Sequence, residues 1–316
     1  MSANPEPLSA ARIGSHLGVI AAVAVAMGLL VGGLAIPFAV GAGIGARGLA
    51  SSVASLPKTL ETEPLRQASK ILDNKGNVIA TFYDENRINV KYEQISPAMV
   101  NAIVAVEDYR FWKHGAIDLK GTLRAALKNL ASGGQVVQGG SSITQQMAKL
   151  TLLAQAKTES EKKAATADTL ARKITELRHA IAFEQNHSKK WILTRYLNIA
   201  FFGDQSHGIQ AAARHYFSVD AKDLNVQQAA MLAGLVKNPN VYNPTASKDA
   251  ALSRRNVVLD QMQKYGYLSR GELADLKAKP LGLKRSPNRN GCISSVAPIF
   301  CDYVYNFLMA DPALGE

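Results

Sequence analysis

Leu17 to Ala46 carries no charged residue and is built mainly from Ala, Val, Gly, Leu and Ile. No other feature restricts the chain so tightly. About thirty apolar residues in a row are enough to cross a hydrocarbon core of roughly 30 Å as one helix. A secretory signal has a shorter apolar region, about 7–15 residues. The segment therefore reads as an uncleaved transmembrane anchor; a cleaved signal is the competing reading, because small residues follow Val40. Pro37 and the glycines are tolerated in a membrane helix. Glu6 and Arg12 are the only charged side chains ahead of the span, so the positive-inside rule has little to count.

The whole chain, 316 residues, has room for one or two domains with a sizeable core. The formal net charge of +11 points to an anionic partner: nucleic acid, anionic lipid or a phosphorylated substrate. The two cysteines, Cys292 and Cys301, lie close together near the C-terminus. Outside the membrane such a pair reads as a disulfide closing a small loop; the alternative is two separate buried thiols.

Gly48 to about Arg66 is small and polar and reads as a stalk. Lys70 to Ala80 reads as a strand, an Asn/Gly turn and a second strand. From Ser96 the pattern turns helical, with Ser96 as cap, Pro97 at the first helical position and Met99, Ile103 and Val106 on one face. Leu119 to Ala131 reads as a basic amphipathic helix, suited either to a bilayer interface or to packing on a core. Lys157 to Asp168 is charged and Ala-rich and reads as a solvated helix or loop with no chemistry. Helices follow around Leu170–Ile181, continuing through Trp191–Asn198, then at Gly208–Phe217, Asn225–Val236, Ala250–Lys264 and Ser269–Ala278. Asn225 with Gln228 forms a capping-box pattern.

Three strings within about 70 residues carry chemistry. In Glu107-Asp108-Tyr109-Arg110-Phe111-Trp112-Lys113-His114, a helix C-terminus delivers a carboxylate beside aromatics. The negative end of the helix dipole and burial both raise the pKa of such a carboxyl, which suits a general base. In isolation the same pair reads as a solvated helix end. The string Gly139-Gly140-Ser141-Ser142-Ile143-Thr144-Gln145-Gln146 sets hydroxyls and amides behind paired glycines, where they can converge on an oxyanion or a sugar; alone it reads as a helix N-cap. Lys149 lies one turn beyond Gln145. In Arg172-Lys173-Ile174-Thr175-Glu176, both cations lie within helical reach of Glu176, an arrangement that in isolation is a structural ion pair.

In this order the strings resemble the peptidoglycan glycosyltransferase domain (glycosyltransferase family 51) of bifunctional class A penicillin-binding proteins. They look like that family's Glu-Asp-x-x-Phe-x-x-His, Gly-x-Ser-Thr-Ile-Thr-Gln-Gln and Arg-Lys-x-x-Glu. Arg195-Tyr196-Leu197-Asn198 with Gly203, Gly208-Ile209 and Tyr216-Phe217 resembles the next block, and Ala229 to Leu235 with Pro239 and Tyr242-Asn243-Pro244 the last. Ala116 stands where the family commonly has Gly, Ser142 where it has Thr, and Gln228 where Glu is frequent; none of these is an acid/base position.

The resemblance implies a mainly α, lysozyme-like fold with a small β-hairpin. Residues 1–16 would be a cytoplasmic tail, 17–46 the transmembrane anchor and 47–66 the stalk. The glycosyltransferase domain would span 67–280, with 281–316 a linker or the start of a following transpeptidase region. The Ser-x-x-Lys at Ser55-Leu56-Pro57-Lys58 lies in the stalk and is a chance match to a transpeptidase motif. The implied reaction is polymerisation of lipid II into β-1,4-glycan with inversion. Glu107 would act as base and Glu176 on the diphosphate side, directly or through a divalent cation (Mg or Mn). Asp108, His114, Ser141, Thr144, Gln145, Gln146, Lys149, Arg172, Lys173 and Asn198 would bind substrate. No covalent cofactor is required. Implied partners are lipid II, the growing lipid-linked glycan, the bilayer surface, cell-wall synthesis proteins and moenomycin-type inhibitors, but not nucleic acid. The implied location is the bacterial cell membrane, single-pass, with the catalytic domain extracytoplasmic. A lysozyme-like glycan-cleaving enzyme and a non-catalytic membrane-anchored scaffold are the alternatives.

Overall fold

Ser96 starts the first helix of the body: its Oγ accepts from Ala98 N at 3.2 Å, and Pro97 occupies the first turn, where its missing N–H costs no bond. The computed structural model describes residues 62–118, 121 and 140–313. The anchor, most of the stalk, the Leu119–Ala131 amphipathic pattern and the Gly133–Gly139 lead-in fall outside the described residues. Among those described, no helix is long and apolar enough to cross a membrane.

The architecture is mainly helical. Strands β1 (Ser69–Leu72) and β2 (Val78–Phe82) form an antiparallel hairpin as expected. Its turn is held by Asp73, which accepts from the backbone of Lys75 and Asn77 at 2.8 Å each, while Gly76 supplies φ +82°. Two short strands not foreseen in the sequence, β3 (Asn86–Arg87) and β4 (Ser206–His207), pair in parallel.

The core is built on α1 (Pro97–Glu107), α7 (Val226–Leu235) and α8 (Lys248–Lys264), with α7 packed against both others. Ala229 to Leu235 are all buried, as are Met99, Ile103, Val258 and Leu259. Burying each of the larger aliphatic side chains contributes about 1.5–3 kcal/mol. Asn225 and Gln228 form the reciprocal capping box expected at the start of α7. A second group packs α2 (Ile143–Gln155) against α4 (Leu170–Asn186) and α5 (Lys189–Ile199), with α3 (Glu159–Thr166) alongside.

The sequence pattern runs α4 into α5 as one helix. The structure breaks them at His187, which is extended, because Ser188 caps α5 by accepting from Trp191 N at 3.2 Å. The His187 ring stacks on Trp191 at 3.6 Å and stabilises the corner. Helix α6 (Ile209–Phe217) starts at Gly208, whose φ of +78° and whose position against Asn198 O (2.7 Å from an added Cβ) both require glycine. Beyond α9 (Arg270–Ala278), residues 281–297 run back across the body. Lys284 N and Ser286 N donate to Tyr216 O and His215 O, and Gly291 N to Thr81 O of the hairpin. A final helix, α10 (Pro298–Met309), was not expected in the tail. The Cys292–Cys301 disulfide ties it to the preceding loop, with Cα atoms 5.4 Å apart, and Tyr305 stacks on Phe82 at 4.8 Å.

Candidate active site

The N-terminal turn of α2 is where the three strings meet. Ser142 caps it in a reciprocal box with Gln145, whose Oε1 accepts from Ser142 N at 3.3 Å. Both side chains also donate to Ala116 O, Ser142 Oγ at 3.2 Å and Gln145 Nε2 at 3.4 Å. Ser142 and Gln145 therefore build the turn and join it to the segment after His114. Ala116 keeps φ negative, so the alanine fits where the family commonly has glycine.

Glu107 is the last residue of α1 and reaches α2 through Gln146, whose Nε2 donates to Glu107 Oε2 at 2.8 Å. Gln146 Oε1 in turn accepts from the Tyr196 hydroxyl at 2.9 Å. Protein packed around Glu107 raises its carboxyl above the ordinary range; Gln146, Arg254 and Lys237 oppose this and Asp108 adds to it. The residue nonetheless keeps partial solvent access. A reachable carboxylate with a raised pKa suits proton abstraction near neutrality.

Asp108, 8 % exposed, faces two ways: Oδ1 lies 2.8 Å from His114 Nε2, and Oδ2 accepts from Ile143 N at 3.1 Å. The second bond sets a carboxylate on the positive end of α2. His114 Nδ1 lies 2.5 Å from Gly115 O, so both ring nitrogens face oxygen acceptors, as an imidazolium requires. Burial pulls the His114 pKa down, but the hydrogen bond and charge of Asp108 outweigh it and the net direction is up. Because the folded value exceeds the ordinary 6.5, the pair stabilises fully below about pH 6.5 and the contribution fades as pH rises through the folded value. A His114→Asn variant is therefore expected to lose about 1.5–3 kcal/mol at pH 5.5 and clearly less at pH 8.5. Thermal melts at the two pH values check this; an equal loss at both would contradict it.

The third string lies on α4. Glu176, 2 % exposed, receives Arg172 Nη1 on one oxygen and Lys173 Nζ, at 3.0 Å, on the other. Lys173 Nζ also donates to Ser141 Oγ at 3.0 Å, which ties this cluster to the same turn of α2. Lys149 is half-buried and forms no ion pair among the described residues.

Two more of the expected ligands, Thr144 and Asn198, are bonded within the protein. Thr144 is fully buried and donates to Glu184 Oε1 at 2.5 Å, an oxygen shared with Lys189 Nζ at 2.6 Å. Lys189 also sits 4.4 Å from the centre of the Phe111 ring. Asn198 grips the backbone of Val90 from both ends of its amide, accepting at 3.0 Å and donating at 2.9 Å. In this arrangement both side chains hold the scaffold. Sequence reading missed Tyr196, Glu184, Lys189, Arg254 and Lys237, because all lie outside the three strings and their approach to the site is set by tertiary packing.

Among the described residues, the one candidate ligand set for a divalent cation is already engaged. Ligand atoms of Asp108, His114 and Asp118 lie within 4.8 Å of one another. However, both ring nitrogens of His114 face acceptors, and Asp118 Oδ1 is paired with Arg110 at 2.8 Å. Both Glu176 oxygens are paired with cations as well. A bound Mg or Mn would have to compete with Arg110, Arg172 and Lys173 for these oxygens.

A family model described as Transglycosylase matches residues 75–263. The chain is 40% identical over 202 residues to penicillin-binding protein 1A of Streptococcus oralis, covering 64% of this chain and 30% of that protein. It is 39% identical over 229 residues to penicillin-binding protein 1A of Aquifex aeolicus (72% and 30%) and 37% identical over 223 residues to that of Escherichia coli (71% and 25%). A solved structure of penicillin-binding protein 1A from Haemophilus influenzae is 21% identical, covering 81% of this chain and 26% of that one, at a TM-score of 0.43. The chain belongs to the transglycosylase family and carries a peptidoglycan glycosyltransferase domain of the penicillin-binding protein 1A type. It spans under a third of the length of these relatives.

Proposed function

We propose that this chain polymerises lipid II into β-1,4-linked glycan by direct, inverting displacement, releasing polyprenyl diphosphate. The observation that carries the reading is the α2 N-terminal turn, bonded through Gln146 to Glu107 and through Ser141 and Lys173 to Glu176. One turn thus holds a base and a cation cluster in a common frame.

Glu107 takes the proton of the incoming 4-hydroxyl. The oxygen attacks the anomeric carbon of the donor, and the diphosphate leaves with the bonding pair. Arg172, Lys173 and Lys149 offset its developing charge. Glu176 holds Arg172 and Lys173 in place. Ser141 and Asp108 with His114 shape the walls of the site. Attack opposite the leaving group inverts an α-linked donor into a β-linked product; a separated pair of carboxylates performs the analogous task with water in inverting glycosidases.

The domain would work in a lysozyme-like helical fold, tethered by Leu17–Ala46 to the cell membrane and lying outside the cytoplasm. The Cys292–Cys301 disulfide supports an oxidising compartment. Partners in this reading are lipid II, the growing glycan, the bilayer surface and other cell-wall synthesis proteins, with moenomycin-type inhibitors competing for the site.

The test is incubation of purified chain with labelled lipid II. A lysozyme-digestible glycan ladder is expected; release of soluble fragments from purified cell wall without a ladder would replace the polymerase by a glycan-cleaving enzyme. Arg172→Ala is expected to lower kcat about 10²-fold through the leaving group, with Arg172→Lys partly restoring it. Unchanged kinetics would make Arg172 structural.

A further inference from the structure

Tyr196 lies on α5, fully buried, and its hydroxyl meets one partner among the described residues, Gln146 Oε1. Burial pushes its pKa well above the ordinary phenol value, so it keeps its proton and donates. A donor fixed against Oε1 decides which way the Gln146 amide points. Nε2 must then face Glu107, where it donates to Oε2 at 2.8 Å. The flipped amide would set Oε1 against a carboxylate oxygen, two acceptors face to face, an arrangement stable only when Glu107 carries a proton.

Building on the base role of Glu107, we infer that Tyr196 is a positioning residue for the reaction, locking the Gln146 amide so that the base is held ionised and ready to accept a proton. Nothing in the three strings points to it, because it acts from a helix some fifty residues beyond the turn it orients.

The other charged groups around Glu107 are Arg254 on α8, Lys237 just after α7 and the adjoining Asp108. All remain in Tyr196→Phe, which removes a single oxygen and so isolates the lock. Without it the amide turns freely, the ionised carboxylate loses its assured donor, and the titration midpoint of Glu107 rises. A rise of about one pH unit corresponds to a rate about tenfold lower on the acidic limb, with the alkaline plateau and KM close to wild type.

The experiment has two readouts. The first is the midpoint of the Glu107 side-chain carbon signal in glutamate-labelled protein, identified by its loss in Glu107→Gln. The second is the pH profile of glycan formation from lipid II. Tyr196→Phe is expected to raise the midpoint and shift the acidic limb with it. Gln146→Met is expected to raise the midpoint likewise, and Tyr196→Phe should add nothing in that background. An unchanged midpoint, or an equal further shift in the Gln146→Met background, would overturn the inference. If wild type makes no glycan, the polymerase reading fails, while the carbon signal still decides the role of Tyr196.

Discussion

Glu107→Gln is expected to lower glycan formation by about 10²–10⁴-fold, the range for loss of a positioned general base. The amide keeps the shape of the carboxyl and can still accept from Gln146, so the fold should persist. It should in fact become more stable at neutral pH. Packed protein raises the Glu107 pKa above the ordinary 4.5, so ionisation costs the folded state more than the unfolded one. That cost begins as pH rises past about 4.5 and is complete above the folded value. A neutral glutamine removes it, so Tm should rise on the order of a few degrees at pH 7.5 and converge on wild type near pH 4. Lower Tm at neutral pH would mean that the carboxylate stabilises the fold and is not a strained group kept for chemistry.

Glu176→Ala is expected to give the largest stability loss of any site variant. Its carboxylate is almost wholly enclosed, and the Arg172 side chain it pairs with is 9 % exposed. Without Glu176, Arg172 keeps only the exposed Asp168, 3.8 Å away, so a buried charge is left largely unmatched, a loss of about 3–5 kcal/mol. The melting temperature should fall by roughly 6–15 °C. Lys173, nearly half exposed, can turn to solvent and adds little to that loss. Glu176→Gln retains an acceptor for Arg172 and should fall less. A Tm within 2 °C of wild type for the alanine variant, against roughly 6–15 °C expected, would show Arg172 swinging free.

Local signals made much of this fold legible. Ser96-Pro97 and the Asn225/Gln228 box each mark a helix start because capping is decided within four residues. The α4–α5 break was missed because the apolar spacing runs through it, and only the Ser188 cap and the His187–Trp191 stack decide the corner. The β3–β4 pair escaped for another reason: two-residue strands joined across more than a hundred residues leave no alternation to read.

The site divides in the same way. Glu107, Asp108, His114, Ser141, Arg172, Lys173 and Glu176 sit in strings whose spacing sets their neighbours. The roles of Thr144 and Asn198 depend on Glu184 and Val90, which only the tertiary fold brings near. Tyr196 lies in a recognisable block, yet its partner is fixed by the packing of α5 on α2.

The most direct test follows binding and turnover of labelled lipid II side by side in wild type and Glu107→Gln. The expected result is comparable binding by both proteins, with a lysozyme-digestible ladder from wild type alone. A ladder from Glu107→Gln at near wild-type rate would contradict the assignment of Glu107 as the base.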